Sequence, residues 1–235
     1  SAKGGFNLTD LIKLGIEAKL NIIEDISIKA TGEAEIQADL ASIMKEWSEV
    51  QLKIVPYKTS KDKYVLSDVE EIFEKLESSL TCITTMMGSK YIASVRAKVE
   101  NWEKRLHLVK STLQEWSKLQ EQWMHLETVF SADDIQKQLP SEYSKFNGVD
   151  KYWREIMFKA FKKSGVLENI NGEDKLKLFS DNNKQLENIQ KLLEDYMDMQ
   201  KQTYPKYSNE DILDEEEELD RFDGDADDQG EESAH

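Results

Sequence analysis

The hydrophobic positions of this chain recur in steps of four and three residues, the spacing that lays one apolar stripe along a helix packed against another helix. Ile36, Leu40, Ile43, Trp47, Val50 and Ile54 keep that step, as do Val69, Phe73, Leu76, Leu80, Ile83 and Met87. The longest case runs Val95, Val99, Trp102, Leu106, Val109, Leu113 and Trp116, skips Gln120 and resumes at Trp123. It predicts one helix of about 35–40 residues, roughly 55–60 Å long at 1.5 Å per residue. A mean globular helix has about 11–12 residues, so this one reads as a strut. Leu186, Ile189, Leu193 and Tyr196 predict a last helix. Leu8, Leu11, Ile12, Ile16, Ile23 and Ile26 predict an N-terminal one that Gly15 weakens.

Short breaks divide these stripes. Thr31-Gly32 is expected to end the first helix. Between Gln51 and Asp68, β-branched and aromatic residues flank a polar Lys-Thr-Ser-Lys-Asp centre, which predicts a small β-hairpin or extended excursion. Ser67 then offers a helix cap, with Glu70 three residues on completing a capping box. Gly88-Ser89 makes a turn, and Ser131 is expected to cap a short helix that stops at Pro140. Asn147-Gly148 is expected to precede a helix from Val149 to about Lys163, and Gly165 and Asn171-Gly172 mark a loop before the last helix. The fold class predicted is all-α: an elongated antiparallel helical bundle with one small β-hairpin. No repeat at a fixed period supports a tandem solenoid.

Charge changes the picture of the C-terminus. Of 47 acidic and 31 basic residues, fourteen acids and one Arg lie from Ser208 onward, so that tail carries −13 of the net −16 and the body only −3. The expected division is therefore a helical domain over residues 1–207 and an acidic, disordered tail over 208–235. A nearly balanced body has no broad basic field for phosphate, which argues against nucleic acid as a partner. No apolar run approaches the ~20 residues of a membrane span. The opening SAKGGFNLTD has neither the apolar stretch of a signal peptide nor an initiator Met, which reads as a piece of a longer chain.

Candidate chemistry is sparse. There is no glycine-rich phosphate loop followed by Lys-Ser or Lys-Thr, and no Gly-x-Gly-x-x-Gly fingerprint. His107 and His125 are eighteen residues apart on the long helix, about 27 Å at its standard rise, too far to share a metal, and His235 lies in the tail. Cys82 sits beside the apolar seam with no cationic neighbour in sequence, so it reads as an inert packing thiol. The aspartates from Asp223 begin like a calcium loop. Asp228 and Ala234, however, stand where such a loop needs Gly and Glu. Asn7-Leu8-Thr9 is a formal glycosylation sequon on a predicted helix, taken as chance. Trp102, Trp116 and Trp123 share the inner face of the strut, where wide aromatic knobs stiffen helix contacts. No catalytic, cofactor-binding or metal-binding residue is expected, no cofactor is implied, and an enzymatic role has no support.

One resemblance adds to this reading. In the stretch from Leu119 to Met157 stand Trp123, Leu126-Glu127, Val129-Phe130, Asp134-Ile135, Gln138-Leu139-Pro140, Glu142, Phe146, Val149-Asp150 and Trp153. In that order they resemble the heavy chain of dynein, in the linker region N-terminal to the motor ring. Trp47, Pro56-Tyr57-Lys58, the Met87–Tyr91 turn and Val99-x-x-Trp102-Glu103 are similar to the same family. So are Leu186-Glu187-x-Ile189-Gln190-Lys191 and Leu193-x-Asp195-Tyr196. The resemblance covers roughly Phe6 to Tyr207 and favours the axonemal type. Tyr204-Pro205-Lys206-Tyr207 echoes a strand after which the family continues into further linker and ATPase modules, whereas this chain turns acidic.

The resemblance implies a non-catalytic lever segment of a dynein heavy chain. Its partners would be the motor ring or other dynein subunits, and its location the cytoskeleton of a cilium or flagellum. ATP hydrolysis would belong to ring modules outside this chain. The alternative is a free-standing adaptor that docks a ciliary partner without motor activity.

Overall fold

A computed structural model of the chain describes residue 15, residues 19–60 and residues 62–203. Helix α1 spans Leu20–Glu49, strand β1 Lys53–Pro56 and strand β2 Tyr64–Ser67. Helix α2 follows at Val69–Met87, α3 at Arg96–Val129, α4 at Asp133–Gln138 and α5 at Pro140–Lys162. The one-turn α6 is Val166–Asn169 and the last helix, α7, is Glu173–Thr203. The expected all-α bundle with one small hairpin is thus the observed class. The structure divides into two units, with the boundary inside α7 after Glu187.

In the first unit the helices alternate in direction, as side-chain pairs show. Trp47 on α1 donates its indole N–H to Ser79 Oγ on α2 at 3.0 Å, while Gly32, far back along α1, meets Tyr91 beyond the end of α2. Moving backward on one helix moves forward on the other, so the two run antiparallel. By the same logic α5 runs antiparallel to α3, since Trp123 stacks on Trp153 and Phe130 on Phe146. The part of α7 up to Glu187 runs parallel to α3: Glu115 bonds Asn183 and Lys118 pairs with Glu187.

The long helix α3 has 34 residues, and no Gly or Pro interrupts it. Val99, Leu106, Val109, Leu113, Trp116, Leu119, Trp123 and Leu126 form its buried stripe. Trp102 departs from the expected inner face: it is half-buried, with the Arg105 guanidinium 5.1 Å from its ring. On α2 the seam falls on Ile72 and Met86, with the expected Phe73 and Met87 half-buried beside it. At 3.6 residues per turn, neighbouring positions share one flank of the stripe, and contact geometry chooses between them.

The β1–β2 pair is antiparallel, with Ile54 opposite Leu66 and Val55 opposite Val65. A two-stranded hairpin is marginal alone, and here it lies on the bundle, with Tyr57, Val65 and Leu66 buried. The chain leaving α1 is also stitched to the chain leaving α5. Leu52 N–H donates to Ser164 O at 2.7 Å and Val166 N–H to Val50 O at 3.0 Å.

Several expected boundaries are corrected. Thr31-Gly32 does not end a helix, because α1 continues through it. A Cβ at Gly32 would lie 2.3 Å from Tyr91 Cδ2, so this glycine admits an aromatic ring rather than a turn. Ser67 is not a cap: it belongs to β2, and Asp68, left-handed at φ 52°, precedes α2 and pairs with Lys53. Ser131 does not cap α4, since its hydroxyl donates back to Thr128 O at the end of α3 and Ala132 takes the cap position. Asn147-Gly148 lies inside α5, which starts at Pro140; proline suits a first helical turn, where its missing N–H has no partner to lose. Gly15, at φ +71°, breaks the continuous N-terminal helix. The expected stripe positions from Leu8 to Ile12, Ile16, and the acidic tail lie outside the described residues.

In the second unit, the described part of α7 buries Ile189 and Leu193, as the stripe predicts. Two same-face bonds support it, Gln190 to Glu194 and Gln200 to Tyr196.

Candidate functional site

The residues that carry the family resemblance are spread over α3, α4 and α5, and the fold gathers Trp123, Glu127, Asp150 and Trp153 around the hairpin. At the centre the Trp123 and Trp153 rings stack with centroids 5.2 Å apart, and Tyr57 from the hairpin loop closes on Trp123 at 5.0 Å. Both indoles are fully buried, and both N–H groups are used. Trp123 donates to Asp150 Oδ1 at 3.0 Å and Trp153 to the Tyr64 carbonyl at 3.2 Å. The second bond fastens α5 to strand β2.

Gln120, the polar residue that interrupts the four-three stripe, fastens α3 to the same strand. Its Oε1 accepts the Leu66 N–H at 2.6 Å and its Nε2 donates to the Leu66 carbonyl at 3.0 Å. The side chain stands where a third strand would pair.

Charge completes the attachment. Glu127, one turn beyond Trp123, accepts from Lys58 at 2.7 Å and from Lys63 at 2.8 Å. Burial pushes its carboxyl upward, but the two lysine hydrogen bonds and their charges outweigh that and hold it below the usual carboxylate range. Arg154 reaches Asp150 at 2.8 Å on its own helix and Asp62 in the hairpin loop at 2.9 Å. Beside these pairs opens a cleft of about 270 Å³, walled by Phe130, Tyr143 and Phe146 and edged by Glu127, Asp150 and Arg154. Its two carboxylates are engaged by Lys58, Lys63, Trp123 and Arg154. What this arrangement does chemically is lock a hairpin across two helices, by stacking, backbone-directed hydrogen bonds and ion pairs together.

The residues weighed individually in the sequence lie apart from this cluster. His107 and His125 are both exposed on α3. Cys82 is half-buried on α2, and burial, then the charge of Asp39, pushes its thiol up. Among the described residues no group of three or more His, Cys, Asp or Glu could hold a metal. No helix among them is long and apolar enough to cross a membrane. His235, the Asn7 sequon and the aspartates from Asp223 lie outside the described residues. Sequence reasoning missed Gln120, Asp62 and Arg154 as fasteners. The one legible signal was the break in the stripe at Gln120.

Comparison with known proteins agrees with the family resemblance. The family model described as dynein heavy chain, N-terminal region 2, matches residues 1–214. The chain is 36% identical over 194 residues, 81% of its length, to human dynein axonemal heavy chain 6. It is 35% identical over 211 residues, 88% of its length, to mouse dynein axonemal heavy chain 2. To the dynein-1-beta heavy chain of the flagellar inner arm I1 complex of Chlamydomonas reinhardtii it is 31% identical over 212 residues, again 88% of its length. The chain spans 5% of the length of each of these relatives.

Proposed function

The chain belongs to the dynein heavy chain family, in its N-terminal region 2, and from that premise we propose that it is a lever segment: a non-catalytic part of the linker that transmits force. The observation that carries this reading is α3, a 34-residue helix to which α2, the hairpin, α5 and the first part of α7 are all fastened. A helix alone bends easily. One whose buried stripe is held by stacked Trp123–Trp153 and Trp116–Phe179 pairs resists bending, because any bend must open close-packed aromatic contacts.

On this reading the lever domain is residues 1–207, and the acidic segment 208–235 is a separate tail outside it. The partners are the dynein ring or other dynein subunits, and the place of work is the cytoskeleton of a cilium or flagellum, in keeping with the axonemal and flagellar relatives. ATP chemistry belongs to other parts of the heavy chain.

The test is made in the intact heavy chain that carries this sequence. Trp116→Ala and Trp153→Ala, introduced separately, are expected to slow microtubule gliding while ATP turnover continues. Unchanged gliding from a segment shown by amide exchange to have loosened would sink the lever reading and favour the docking adaptor. Stoichiometric ATP binding by the 235-residue chain alone, read by calorimetry, would overturn the non-catalytic part.

A further inference from the structure

The last turn of α5 reads Phe158-Lys159-Ala160-Phe161-Lys162 and is followed by Lys163, a run with three cations and no acid in a chain of net charge −16. Ala160 is buried, and the other five side chains are exposed, Phe158 50% and Phe161 45%. Lysines in a last turn answer the helix macrodipole and by themselves need no partner. Two phenyl rings on the same turn are different, because aromatic side chains carry large apolar surfaces that anchor protein contacts when covered.

The turn is held in place. Phe161 stacks on Tyr64 of β2 with centroids 4.5 Å apart, and the Lys162 ammonium lies 5.3 Å from the Phe158 centroid. Lys163 donates its N–H to the Lys159 carbonyl at 3.0 Å, and its own carbonyl accepts from the Asn169 side chain at 2.6 Å. Rings and ammonium groups fixed in advance lower the ordering cost of an encounter.

Charge decides the kind of partner. Among the described residues no carboxylate pairs with Lys159, Lys162 or Lys163, although Glu155 stands one turn before Lys159. Lys175, half-buried near the start of α7, is held below the ordinary lysine value by burial first and by the charge of Lys159 second, so a further cation crowds this end of α5. A nucleic acid or an anionic membrane would meet these lysines together with the field of a protein carrying 47 acidic against 31 basic residues, which opposes it. A short acidic stretch of polypeptide meets the local charge, since screening limits the reach of more distant carboxylates to about 8 Å at physiological salt.

We propose that the face formed by Phe158, Lys159, Phe161, Lys162 and Lys163 docks an acidic segment of another polypeptide, its carboxylates on the three lysines and an aromatic or branched apolar side chain against the two phenyl rings. Such a face serves a lever and a docking adaptor alike.

The test uses the full 235-residue chain and a fluorescein-labelled synthetic peptide of alternating Glu-Glu and Leu-Phe pairs, with binding read by anisotropy. Binding is expected, and it should weaken as salt rises. Lys159→Glu with Lys162→Glu and Lys163→Glu should weaken it about tenfold or more, whereas Lys159→Arg with Lys162→Arg and Lys163→Arg should retain it. Phe158→Ala should weaken it about fivefold. All these side chains are exposed, so the variants are expected to melt with the parent. The same peptide with Gln in place of every Glu should bind at least about tenfold more weakly. No binding, equal binding of the Gln peptide, or binding unmoved by the lysine reversals would overturn the proposal. So would tighter binding to phosphatidylserine vesicles than to the peptide, which would assign the face to a lipid surface. Carbodiimide cross-links from these lysines to residues 208–235 of the same chain would overturn it as well, by assigning the face to the chain's own acidic segment.

Discussion

Gln120 grips the Leu66 peptide with both ends of its carboxamide, accepting from the N–H at 2.6 Å and donating to the carbonyl at 3.0 Å. Leu66 is almost fully buried, so neither backbone group could turn to water if the side chain were absent. Gln120→Leu should therefore destabilise the protein by about 2–4 kcal/mol, the cost of two orphaned polar groups minus the gain of an apolar side chain. Chemical denaturation measures it, and a neutral result would mean that the hairpin edge rehydrates.

Gly32 and Gly148 make opposite predictions for one substitution. Alanine at Gly32 places its methyl 2.3 Å from Tyr91 Cδ2 and 2.6 Å from Cγ, close to the root of the ring, so the whole side chain must move. Gly32→Ala should lose about 1–3 kcal/mol despite its better helix propensity. In a Tyr91→Ala background most of that loss should vanish, because the two residues are in contact. At Gly148, inside α5, a Cβ meets nothing within 4 Å. Gly148→Ala should gain about 0.5–1 kcal/mol. Equal effects at the two sites, read by thermal melts, would contradict the packing at Tyr91.

Glu127 supplies an acid-side dependence. Its folded carboxyl lies below the ordinary value, since the Lys58 and Lys63 bonds outweigh burial. Its contribution is therefore present above the unfolded pKa of about 4.3 and is lost as pH falls through the lower folded value. Glu127→Gln should cost about 1–2 kcal/mol at pH 7. The gap between parent and variant should close on acidification below about pH 4. A gap that stays constant from pH 7 to pH 3 would show that the lysines do not hold the charged form.

Tyr152 supplies the alkaline counterpart. Burial pushes its phenol from the ordinary range up to about 12, and its hydroxyl finds no hydrogen-bond partner among the described residues. The folded pKa is raised, so this group's stabilisation is complete below the unfolded pKa of about 10 and disappears as pH rises through the folded value. Tyr152→Phe should be neutral or stabilising by up to about 1 kcal/mol at pH 7, because it removes an unpaired buried polar atom. Its advantage should grow by on the order of 2 kcal/mol between pH 9 and pH 12. Urea melts at the two pH values read the difference.

The stripes at Ile36–Trp47, Val99–Trp123 and Leu186–Leu193 were readable from the chain alone, as was the hairpin. A helix that buries one face must repeat apolar residues at its own period, whatever it packs on, and that period is a local property. The family was readable too, because the order of Trp123, Phe130, Pro140, Phe146 and Trp153 survives without coordinates. The tertiary structure decided what glycine and glutamine mean. Gly32 looked like a stop because propensity disfavours glycine in a helix by about 1 kcal/mol. It is retained inside one because Tyr91, far away in sequence, fills the space of its missing side chain. Gln120 looked like a lapse in a stripe, yet it sits opposite an unpaired strand edge whose peptide groups need partners. Ser67 and Ser131 carried cap chemistry in the right places, but β pairing with Lys53 and the last carbonyls of α3 competed for them. Local pattern fixes which face of a helix turns inward, not each residue on it. Which inward residue meets which depends on contacts between segments distant in sequence, and no periodicity encodes those.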